Sequence, residues 1–463
     1  MKQFDVLVIG SGSGMSIANR ALMNGLTVAL VESGPLGGTC LNRGCIPSKM
    51  VIYPADVINL IRESKKFGIK TNIESIDFRF VMDRTRHFIE EDRSQMENGI
   101  GDVPGLTFYN DVGEFISDYT MRVSGETIKS ENVFIVSGSR PNIPAIKSLE
   151  NVEYLTSVNV CDVNEVPRSM VFIGGGYIAV EFAHFFSSFG SNVTIISRSQ
   201  CLVKRSEPEV SKFLKRTMEK RMTIVTGFEA VEVVEKGGLK EVIAVNLKTG
   251  EVHTFSAESL FISSGRRSNS DLLKPERTGV ELDDKGFVVV NKFLETSKER
   301  IWAFGDAIGK YMFKHVANYE AGIAWHNFSY KGHKIPVNYS SVPYGVFSYP
   351  QVASVGMTEK EALEKGYNVL VGRQELKETA KGAAMDEEGF VKVIVDEKTG
   401  KILGGHIVGP YASTLLQEII NVMNSGDGSY TPIMQAMHIH PALSEVVQFA
   451  FYNLQRPPGH QHS

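Results

Sequence analysis

The sequence predicts an α/β protein with two Rossmann-like nucleotide-binding domains and a C-terminal α+β domain. Two observations predict this fold class. A strand, a glycine loop, a helix and a second strand are indicated at residues 5–32, and the same pattern returns at residues 169–197. From about residue 342 the sequence alternates like antiparallel strands, and helices follow from about Leu415. The repeated unit implies two nucleotide sites.

The length and the breaker residues indicate the domain organisation. A chain of 463 residues, at roughly 150 residues per domain, has room for about three domains. A cluster of Gly, Pro and Asn at residues 137–144 suits a boundary. We expect a first nucleotide-binding domain made of residues 1–150 and 272–338, a second made of residues 151–271, and a C-terminal domain of residues 339–463.

The composition excludes several classes of protein. Apolar residues make up 42% and charged residues 22% of the chain, which is typical of a globular protein. A net charge of -4 gives no electrostatic footprint for nucleic acid, and four cysteines are too few for a disulfide-scaffolded secreted protein. No signal peptide and no apolar run of ~20 residues is found, so we expect a cytoplasmic protein without a membrane partner. We expect a frayed tail at residues 456–463 rather than a metal site on its two histidines.

The first glycine loop is a near match to the dinucleotide fingerprint. Gly10 permits a tight turn, and Gly12 lets backbone N–H groups approach a pyrophosphate at the start of a helix, predicted from Ser16 to about residue 24. Met15 occupies a position that is normally small. Glu32, at the end of the second strand, is placed to accept hydrogen bonds from ribose hydroxyls. On its own the glycine loop is a weak signal that Glu32 strengthens, and an ordinary strand-to-helix turn is the alternative.

The second glycine loop predicts the choice of nicotinamide nucleotide. Gly174, Gly176 and Ala179 match the fingerprint and precede a helix that is predicted to reach about residue 189. The following strand, residues 192–197, ends in a serine rather than an acid, and Arg198, Lys204 and Arg205 come next. A guanidinium binds a 2′-phosphate that an acid would repel, so we predict NADPH rather than NADH. The alternative is a solvated surface arginine.

Cys40 and Cys45 form the most informative motif. The two cysteines, with four residues between them, are predicted to lie just before a helix that continues through residues 50 and 51. A helix N-terminus favours the reactive thiolate. A zinc site would need a second ligand pair, and Cys161 and Cys201 are isolated. A structural disulfide is disfavoured in a cytosolic protein. Redox chemistry is the leading interpretation.

Two further segments carry candidate acid–base or binding groups. Pro441 is expected at a first helical position, with Glu445 one turn on and facing His440, where a carboxylate would fix the imidazole tautomer and raise its basicity. A histidine before a helix can also be structural, but the redox cysteines need a proton acceptor. Asp306 is expected at the end of a short buried strand, at the ligand crevice, or else as a turn aspartate.

Together these segments resemble the flavoprotein disulfide reductases, the family that includes glutathione reductase, dihydrolipoamide dehydrogenase and mycothione reductase. The resemblance covers nearly the whole chain in the same order, and the run from Gly37 to Lys49 is highly specific. It implies that the first nucleotide-binding domain holds FAD, the second holds NADP, and the C-terminal domain dimerises. The implied FAD-binding residues are Gly10, Gly12, Gly14, Glu32, Thr39, Lys49, Gly138 and Asp306. The implied NADP-binding residues are Gly174, Gly176, Tyr177, Ala179, Glu181, Arg198, Lys204 and Gly265.

The resemblance also implies the catalytic roles. Cys45 would contact the flavin, Cys40 would exchange with the substrate, and Tyr177 would gate the nicotinamide pocket. Lys49 would pair with Glu181 beside the flavin. His440, supported by Glu445, would come from the partner subunit, so a homodimer would be required for activity.

Within the family, two functions are expected. Runs such as Lys314-His-Val-Ala-Asn318 resemble the mycothione reductase branch, which implies NADPH-dependent reduction of a small disulfide. The cysteine run and the run from His438 to Glu445 resemble dihydrolipoamide dehydrogenase equally, which implies oxidation of a dithiol with NAD(P)+. The absence of a C-terminal cysteine pair argues against mercuric reductase. A flavin-bearing binding component is the alternative from another class.

Overall fold

The computed structural model describes residues 1–330 and 332–457, so the expectation for the tail beyond residue 457 lies outside the described residues. The first part of the chain contains the elements β1 (Lys2–Gln3), β2 (Val6–Ile9), α1 (Gly14–Met23), β3 (Val28–Val31), α2 (Gly38–Arg43), α3 (Cys45–Glu63), α4 (Phe78–Ile100), β4 (Leu106–Tyr109), β5 (Glu114–Ser117), β6 (Thr120–Val123), β7 (Glu126–Lys129), β8 (Val133–Ile135) and β9 (Ser139–Pro141).

The second part repeats the strand–helix–strand opening and adds an antiparallel insertion. Its elements are β10 (Ser169–Ile173), α5 (Tyr177–Ser188), β11 (Asn192–Ser197), α6 (Pro208–Met218), β12 (Thr223–Thr226), β13 (Phe228–Lys236), β14 (Leu239–Asn246), β15 (Val252–Ala257), β16 (Ser259–Ile262) and β17 (Arg266–Ser268).

The third part returns to the first sheet and then builds a separate antiparallel one. Its elements are β18 (Ile301–Ala303), α7 (Lys314–Ser329), β19 (Pro343–Val346), β20 (Val352–Gly356), α8 (Glu359–Glu364), β21 (Val369–Glu375), α9 (Ala380–Met385), β22 (Phe390–Asp396), β23 (Ile402–Val408), α10 (Ala412–Met423), α11 (Thr431–Gln435) and α12 (Glu445–Tyr452).

Two parallel sheets confirm the predicted repeat. The first has the order β18-β8-β2-β3-β4, and the second has the order β12-β11-β10-β16. β2 and β3 are buried along their whole length, which explains their continuous apolar sequence. The chain leaves the first sheet through β9 and returns through β17, and these two strands pair with each other. The predicted breaker cluster at residues 137–144 includes this exit.

Glycine positions explain why both loops begin with the same residue type. Gly10 has φ +110°, and a Cβ there would lie 2.1 Å from the carbonyl oxygen of Val136. Gly174 has φ +128°, and a Cβ there would lie 2.3 Å from the carbonyl oxygen of Ser263. In each sheet, therefore, the backbone of the loop touches the end of a neighbouring strand, and only glycine fits.

The first helix differs from its predicted start. It begins at Gly14 rather than Ser16. A Cβ on Gly14 would lie 2.9 Å from Cγ1 of Val8, so this residue allows the close packing of helix on strand. Met15 at the normally small position is therefore tolerated, because Gly14 makes the close approach instead.

The C-terminal region is an antiparallel sheet with helices, as predicted. The strand order is β19-β20-β23-β22-β21, and α10 and α12 pack on this sheet. The predicted helical region from about Leu415 begins slightly earlier, at Ala412. Among the described residues, no helix combines the length and apolar character that crossing a membrane requires. The fold class is confirmed, while the residue boundaries of the domains stay a prediction.

We predict that Gly372→Ala destabilises the C-terminal region. Gly372 lies on β21, and a Cβ there would lie 1.9 Å from the carbonyl oxygen of Ala450 on α12. Overpacking of this kind costs about 1–3 kcal/mol or more. Thermal melting should show a clear fall in Tm. Gly322→Ala on α7 is the control, since a Cβ there has open space and alanine favours a helix. Equal melting temperatures for the two variants would contradict this prediction.

Candidate active site

The two cysteines of the predicted pair lie at the junction of two helices. Cys40 lies within α2 rather than before a helix, and Cys45 is the first residue of α3. Gly44 makes the junction tight, because a Cβ there would lie 2.8 Å from the carbonyl oxygen of Thr39 and 3.3 Å from Cα of Cys40. The chain thus folds back on itself between the two thiols, which are both free.

The two thiols titrate as an asymmetric pair. The pKa of Cys40 is lowered to about 6, chiefly because the thiol of Cys45 donates a hydrogen bond to it, and the charges of Lys314 and Lys49 act in the same direction. The pKa of Cys45 is raised by the same hydrogen bond and by burial. The first proton therefore leaves the pair below neutral pH, and the thiolate lies on Cys40.

Lys314 is a cation near the thiols that the motif spacing does not indicate. It opens α7, and its Nζ donates to Oγ of Ser13 at 3.0 Å. The Ser13 hydroxyl in turn donates to Oδ1 of Asn318 at 2.9 Å. These contacts join the first glycine loop to α7 and bring a cation near Cys40. The sequence separation is too great for any local pattern to reveal this contact.

The expected ion pair between Lys49 and Glu181 is present. Nζ of Lys49 lies 2.8 Å from Oε2 of Glu181, so α3 and α5 are joined directly beside the thiols. The backbone N–H of Phe347 donates to Oε1 of Glu181 at 2.9 Å, and the Phe347 ring centroid lies 4.3 Å from Nζ of Lys49. The local sequence gives no indication of this contact, because Phe347 belongs to the C-terminal region and is far from Glu181 along the chain.

The first glycine loop has space for a dinucleotide. A Cβ on Gly12 would have no heavy atom within 4 Å, so the backbone faces open space there. Glu32 organises the loop: Oε2 accepts from the N–H and the hydroxyl of Ser11, both at 2.8 Å, and Oε1 accepts from the N–H of Gly34 at 2.8 Å. Glu32 also lines a cavity beside Gly10. Oε2 thus already accepts two hydrogen bonds, while Oε1 accepts one and retains an acceptor site that a ribose hydroxyl can use.

Asp306 lies shortly after β18 rather than on a strand. β18 ends at Ala303, and Asp306 belongs to the short 3-10 helix Gly305–Ile308, so the turn position considered for it applies. Its carboxylate accepts from the hydroxyl of Ser139, and Nε of Arg266 lies 3.6 Å from Oδ2. Gly138, with φ +70°, directly precedes this serine. Thr39 is exposed on the first turn of α2.

The second glycine loop leads into the helix that carries Glu181. A Cβ on Gly176 would meet open space, as would one on Gly265 (φ +110°), while Ala179 is fully buried. Tyr177 opens α5, and burial raises its pKa to about 12. Its ring lies 6.1 Å from that of Phe313. Tyr177 and Glu181 are one helical turn apart, so both project toward the same region.

Arg198 lies at the outer end of this second site. It follows β11 directly, and its Nη1 lies 3.3 Å from Oε1 of Glu229. Lys204 and Arg205 lie exposed on the loop that follows. The position agrees with a contact to a 2′-phosphate, while the exposed pair with Glu229 is what a solvated surface arginine would also form.

His440 pairs with Glu445 through a local structure that differs from the predicted one. α12 begins at Glu445 rather than at Pro441, and the His440–Pro441 peptide bond is cis. Nδ1 of His440 lies 2.8 Å from Oε1 of Glu445, and Oε2 accepts from the N–H of Ala442 at 3.0 Å. The hydrogen bond from His440 lowers the pKa of Glu445. The carboxylate therefore orients the ring and leaves Nε2 available.

His440 does not meet the thiols within one chain. Its side chain is 72% exposed, and its contact with Glu445 lies in the C-terminal region. Met437 and Ile439, just before it, are large apolar side chains that are almost wholly exposed. The structure therefore brings together Cys40, Cys45, Lys49 and Glu181 and leaves His440 at an apolar surface.

We predict that Lys314→Met raises the pKa of the Cys40 thiol. The thiolate loses a neighbouring cation, so deprotonation requires a higher pH. The rate of iodoacetamide alkylation of the reduced protein, measured against pH, should rise with a midpoint of about 6 in the wild type and at a higher pH in the variant. Lys310→Met is the control, since Nζ of Lys310 lies over the ring of Tyr339. Identical profiles for Lys314→Met and the wild type would exclude this role.

Comparisons with known proteins agree with the arrangement of these sites. Residues 4–321 match the family described as pyridine nucleotide-disulphide oxidoreductase, and residues 342–451 match its dimerisation domain. The chain is 35% identical to mycothione reductase of Mycobacterium tuberculosis over 98% of this chain and 100% of that protein. It is 33% identical to dihydrolipoyl dehydrogenase of Chlamydia muridarum over 96% of this chain and 95% of that protein.

A solved structure shows the same architecture. The Cu(II) complex of the HOCl-induced flavoprotein disulfide reductase RclA from Escherichia coli superposes with a TM-score of 0.87 and 26% identity. The match covers 98% of this chain and 99% of that chain.

Proposed function

Because this chain belongs to the pyridine nucleotide-disulphide oxidoreductase family, we propose that it uses NADPH to reduce a small disulfide through Cys40 and Cys45. It is an oxidoreductase that uses a flavin and a nicotinamide nucleotide. The observation that carries the proposal is the low pKa of Cys40 beside Cys45, between two dinucleotide loops and next to the Lys49–Glu181 ion pair.

The residues of the first loop fit FAD. Gly12 offers open backbone for the pyrophosphate, and Oε1 of Glu32 keeps acceptor capacity for ribose. Lys49 and Glu181 would lie beside the ring system. When bound, the flavin supplies the two-electron step between the nicotinamide nucleotide and the thiols. The chain supplies the position and the charge around it.

The dithiol then reduces the substrate in two exchanges. The Cys40 thiolate attacks one sulfur of the substrate disulfide, which forms a mixed disulfide and releases one substrate thiolate. His440 donates a proton from Nε2 to this departing sulfur. Nε2 of His440, now neutral, accepts the proton of the Cys45 thiol, and the Cys45 thiolate attacks the Cys40 sulfur, which releases the second substrate sulfur as a thiolate and leaves a Cys40–Cys45 disulfide. Two electrons pass to the substrate.

We assign the proton donor to the partner subunit. Within one chain, His440 is exposed beside the exposed apolar residues Met437 and Ile439, which suits a surface covered by a second copy. α3, which begins at Cys45, also carries an exposed apolar stripe at residues 53, 57 and 60. A two-fold dimer formed through these surfaces would bring His440 of one chain toward the thiols of the other.

Dihydrolipoamide oxidation with NAD+ is the second candidate function. The similarity to dihydrolipoyl dehydrogenase of Chlamydia muridarum over nearly the full chain favours it. The same thiols and the same base would run the exchange in the opposite direction. The two functions differ in the nucleotide and in the direction of electron flow.

Steady-state assays of the flavin-loaded enzyme separate the two functions. We expect turnover with NADPH and a small disulfide such as mycothione or glutathione disulfide to exceed turnover with NAD+ and dihydrolipoamide. A hundredfold preference for NAD+ with dihydrolipoamide would overturn the first function in favour of the second. Cys45→Ser should abolish turnover in either direction. If the chain is instead a binding component with incidental thiols, the same change leaves the binding of its partner intact.

Co-expression of two inactive chains tests the contribution of His440 in trans. Cys40→Ser and His440→Gln should each be inactive alone. In a mixed dimer, the intact cysteines of one chain meet the intact His440 of the other, so about a quarter of wild-type activity should return. Cys40→Ser mixed with Cys45→Ser is the control and should stay inactive, since no chain has both thiols. No recovery in the first mixture would show that His440 acts within its own chain or not at all.

Charge reversal at Arg198 tests the choice of nucleotide. Arg198→Glu should weaken NADPH more than NADH by roughly 2–3 kcal/mol, because a charge-assisted contact is lost and repulsion is added. Glu229→Gln should strengthen NADPH binding, since it frees Arg198 from its carboxylate partner. KM values for both nucleotides give the measurement. Equal effects of Arg198→Glu on the two nucleotides would show that this residue does not contact the 2′-phosphate.

A further inference from the structure

An ion cluster centred on the buried Lys392 joins the second nucleotide-binding sheet region to the C-terminal sheet. Nζ of Lys392 on β22 lies 2.8 Å from Oε1 of Glu207, 2.6 Å from Oε1 of Glu209 and 2.6 Å from Oε2 of Glu359. Glu207 and Glu209 lie at the start of α6, and Glu359 opens α8. The N–H of Glu359 also donates to Oε2 of Glu207 at 3.0 Å. Two separate parts of the chain therefore share one ammonium.

The cluster is too costly to be an incidental surface contact. The Lys392 side chain is 2% exposed, and that of Glu207 is 4% exposed. Removing charges from water is costly, and the attraction between them offsets this cost only when their geometry is good and their hydrogen bonds are satisfied. One ammonium faces three carboxylates here, and Arg373 adds a second cation on Glu209. Such an arrangement holds its members in one geometry, because an incomplete cluster leaves a buried carboxylate uncompensated.

The cluster lies at the end of the loop that carries the basic residues. This loop, residues 198–206, connects β11 to the start of α6, and it includes Arg198, Lys204 and Arg205. Val203, within this loop, is hydrogen-bonded to the second glycine loop, because its N–H donates to the carbonyl of Gly175 at 2.7 Å.

A second contact from the C-terminal sheet holds the last residue of the same loop. The hydroxyls of Ser206 and Tyr344 lie 2.9 Å apart, and Tyr344 belongs to β19. Glu207 of the ion cluster is the next residue. Two neighbouring positions are thus bound to the C-terminal sheet, while the basic side chains of the loop stay exposed.

We propose that the Lys392 cluster, together with Tyr344, positions residues 198–206 so that their basic side chains meet the 2′-phosphate of the nucleotide. The proposal rests on the proposed use of NADPH and deepens it. Lys392, Glu359 and Tyr344 are positioning residues, since they act through the loop and do not touch the nucleotide. The preference for NADPH over NADH would then depend on the C-terminal sheet, which contributes no residue to the second glycine loop.

The test compares two probes that differ only in the phosphate. Binding of 2′,5′-ADP and of 5′-AMP to the flavin-loaded enzyme is measured by calorimetry for the wild type, Glu359→Gln and Tyr344→Phe. Tyr344→Phe keeps the ring, and Glu359→Gln leaves Lys392 with two carboxylates, so both should fold. In each variant the loop must become ordered when the ligand binds, so we expect the affinity for 2′,5′-ADP to fall about fivefold. Affinity for 5′-AMP should not change. The KM for NADPH should rise while kcat stays constant.

Glu388→Gln is the matched control. Nζ of Lys220, just beyond α6, lies 3.7 Å from Oε2 of Glu388, so this variant breaks another ion pair between the same two regions but away from the loop. It should leave both affinities unchanged. Equal losses for both probes, or no loss for either in Glu359→Gln and Tyr344→Phe, would overturn the proposal. If the wild type binds both probes equally and Arg198→Glu changes neither, the use of NADPH itself fails and the positioning role fails with it.

Discussion

The Lys49–Glu181 ion pair joins the helix that begins with Cys45 to the helix that begins with Tyr177, and the rest of the active site depends on this contact. Glu181 is almost wholly buried, so its carboxylate needs both Lys49 and the N–H of Phe347. Two further polar contacts repeat the join deeper along the same helices, between Asp56 and His184 and between Asn59 and Ser188. The helix that begins with Cys45 and the helix that begins with Tyr177 are therefore joined by polar contacts at three points.

Backbone contacts set the geometry around that unit. Gly10 and Gly174 let each dinucleotide loop touch the neighbouring strand, and Gly44 lets the chain turn between the two cysteines. In each case a Cβ would overlap backbone atoms that cannot move independently of a sheet or a helix. These three glycines therefore set the backbone positions of the two loops and of the turn between the thiols.

Electrostatics then divides the chemistry between different parts of the chain. Cys45 and the cations Lys314 and Lys49 lower the pKa of Cys40, which favours a nucleophile, while His440 and Glu445 form a hydrogen-bonded pair at an exposed surface. The proposal that His440 serves the partner subunit rests on this separation. The C-terminal region takes part twice, because it carries this pair and because Lys392 and Tyr344 of its sheet contact the end of the loop that follows β11.

The sequence by itself determined the two dinucleotide loops, the cysteine pair and the pairing of His440 with Glu445, because each depends on residues that are close along the chain and on the conformational freedom of glycine. Local sequence could not place Lys314 near Cys40, Phe347 against Glu181 or Lys392 among three glutamates, since residues far apart in the chain meet only when sheets and helices pack. The sequence also predicted that the last helix begins at Pro441. In the structure α12 begins at Glu445, and a turn of the backbone before it lets this first helical residue reach His440. Tertiary structure decided these contacts, because a buried charge is stabilised by partners that lie near it in space. Which distant residues become neighbours is set by the packing of sheets and helices and cannot be read from the linear sequence.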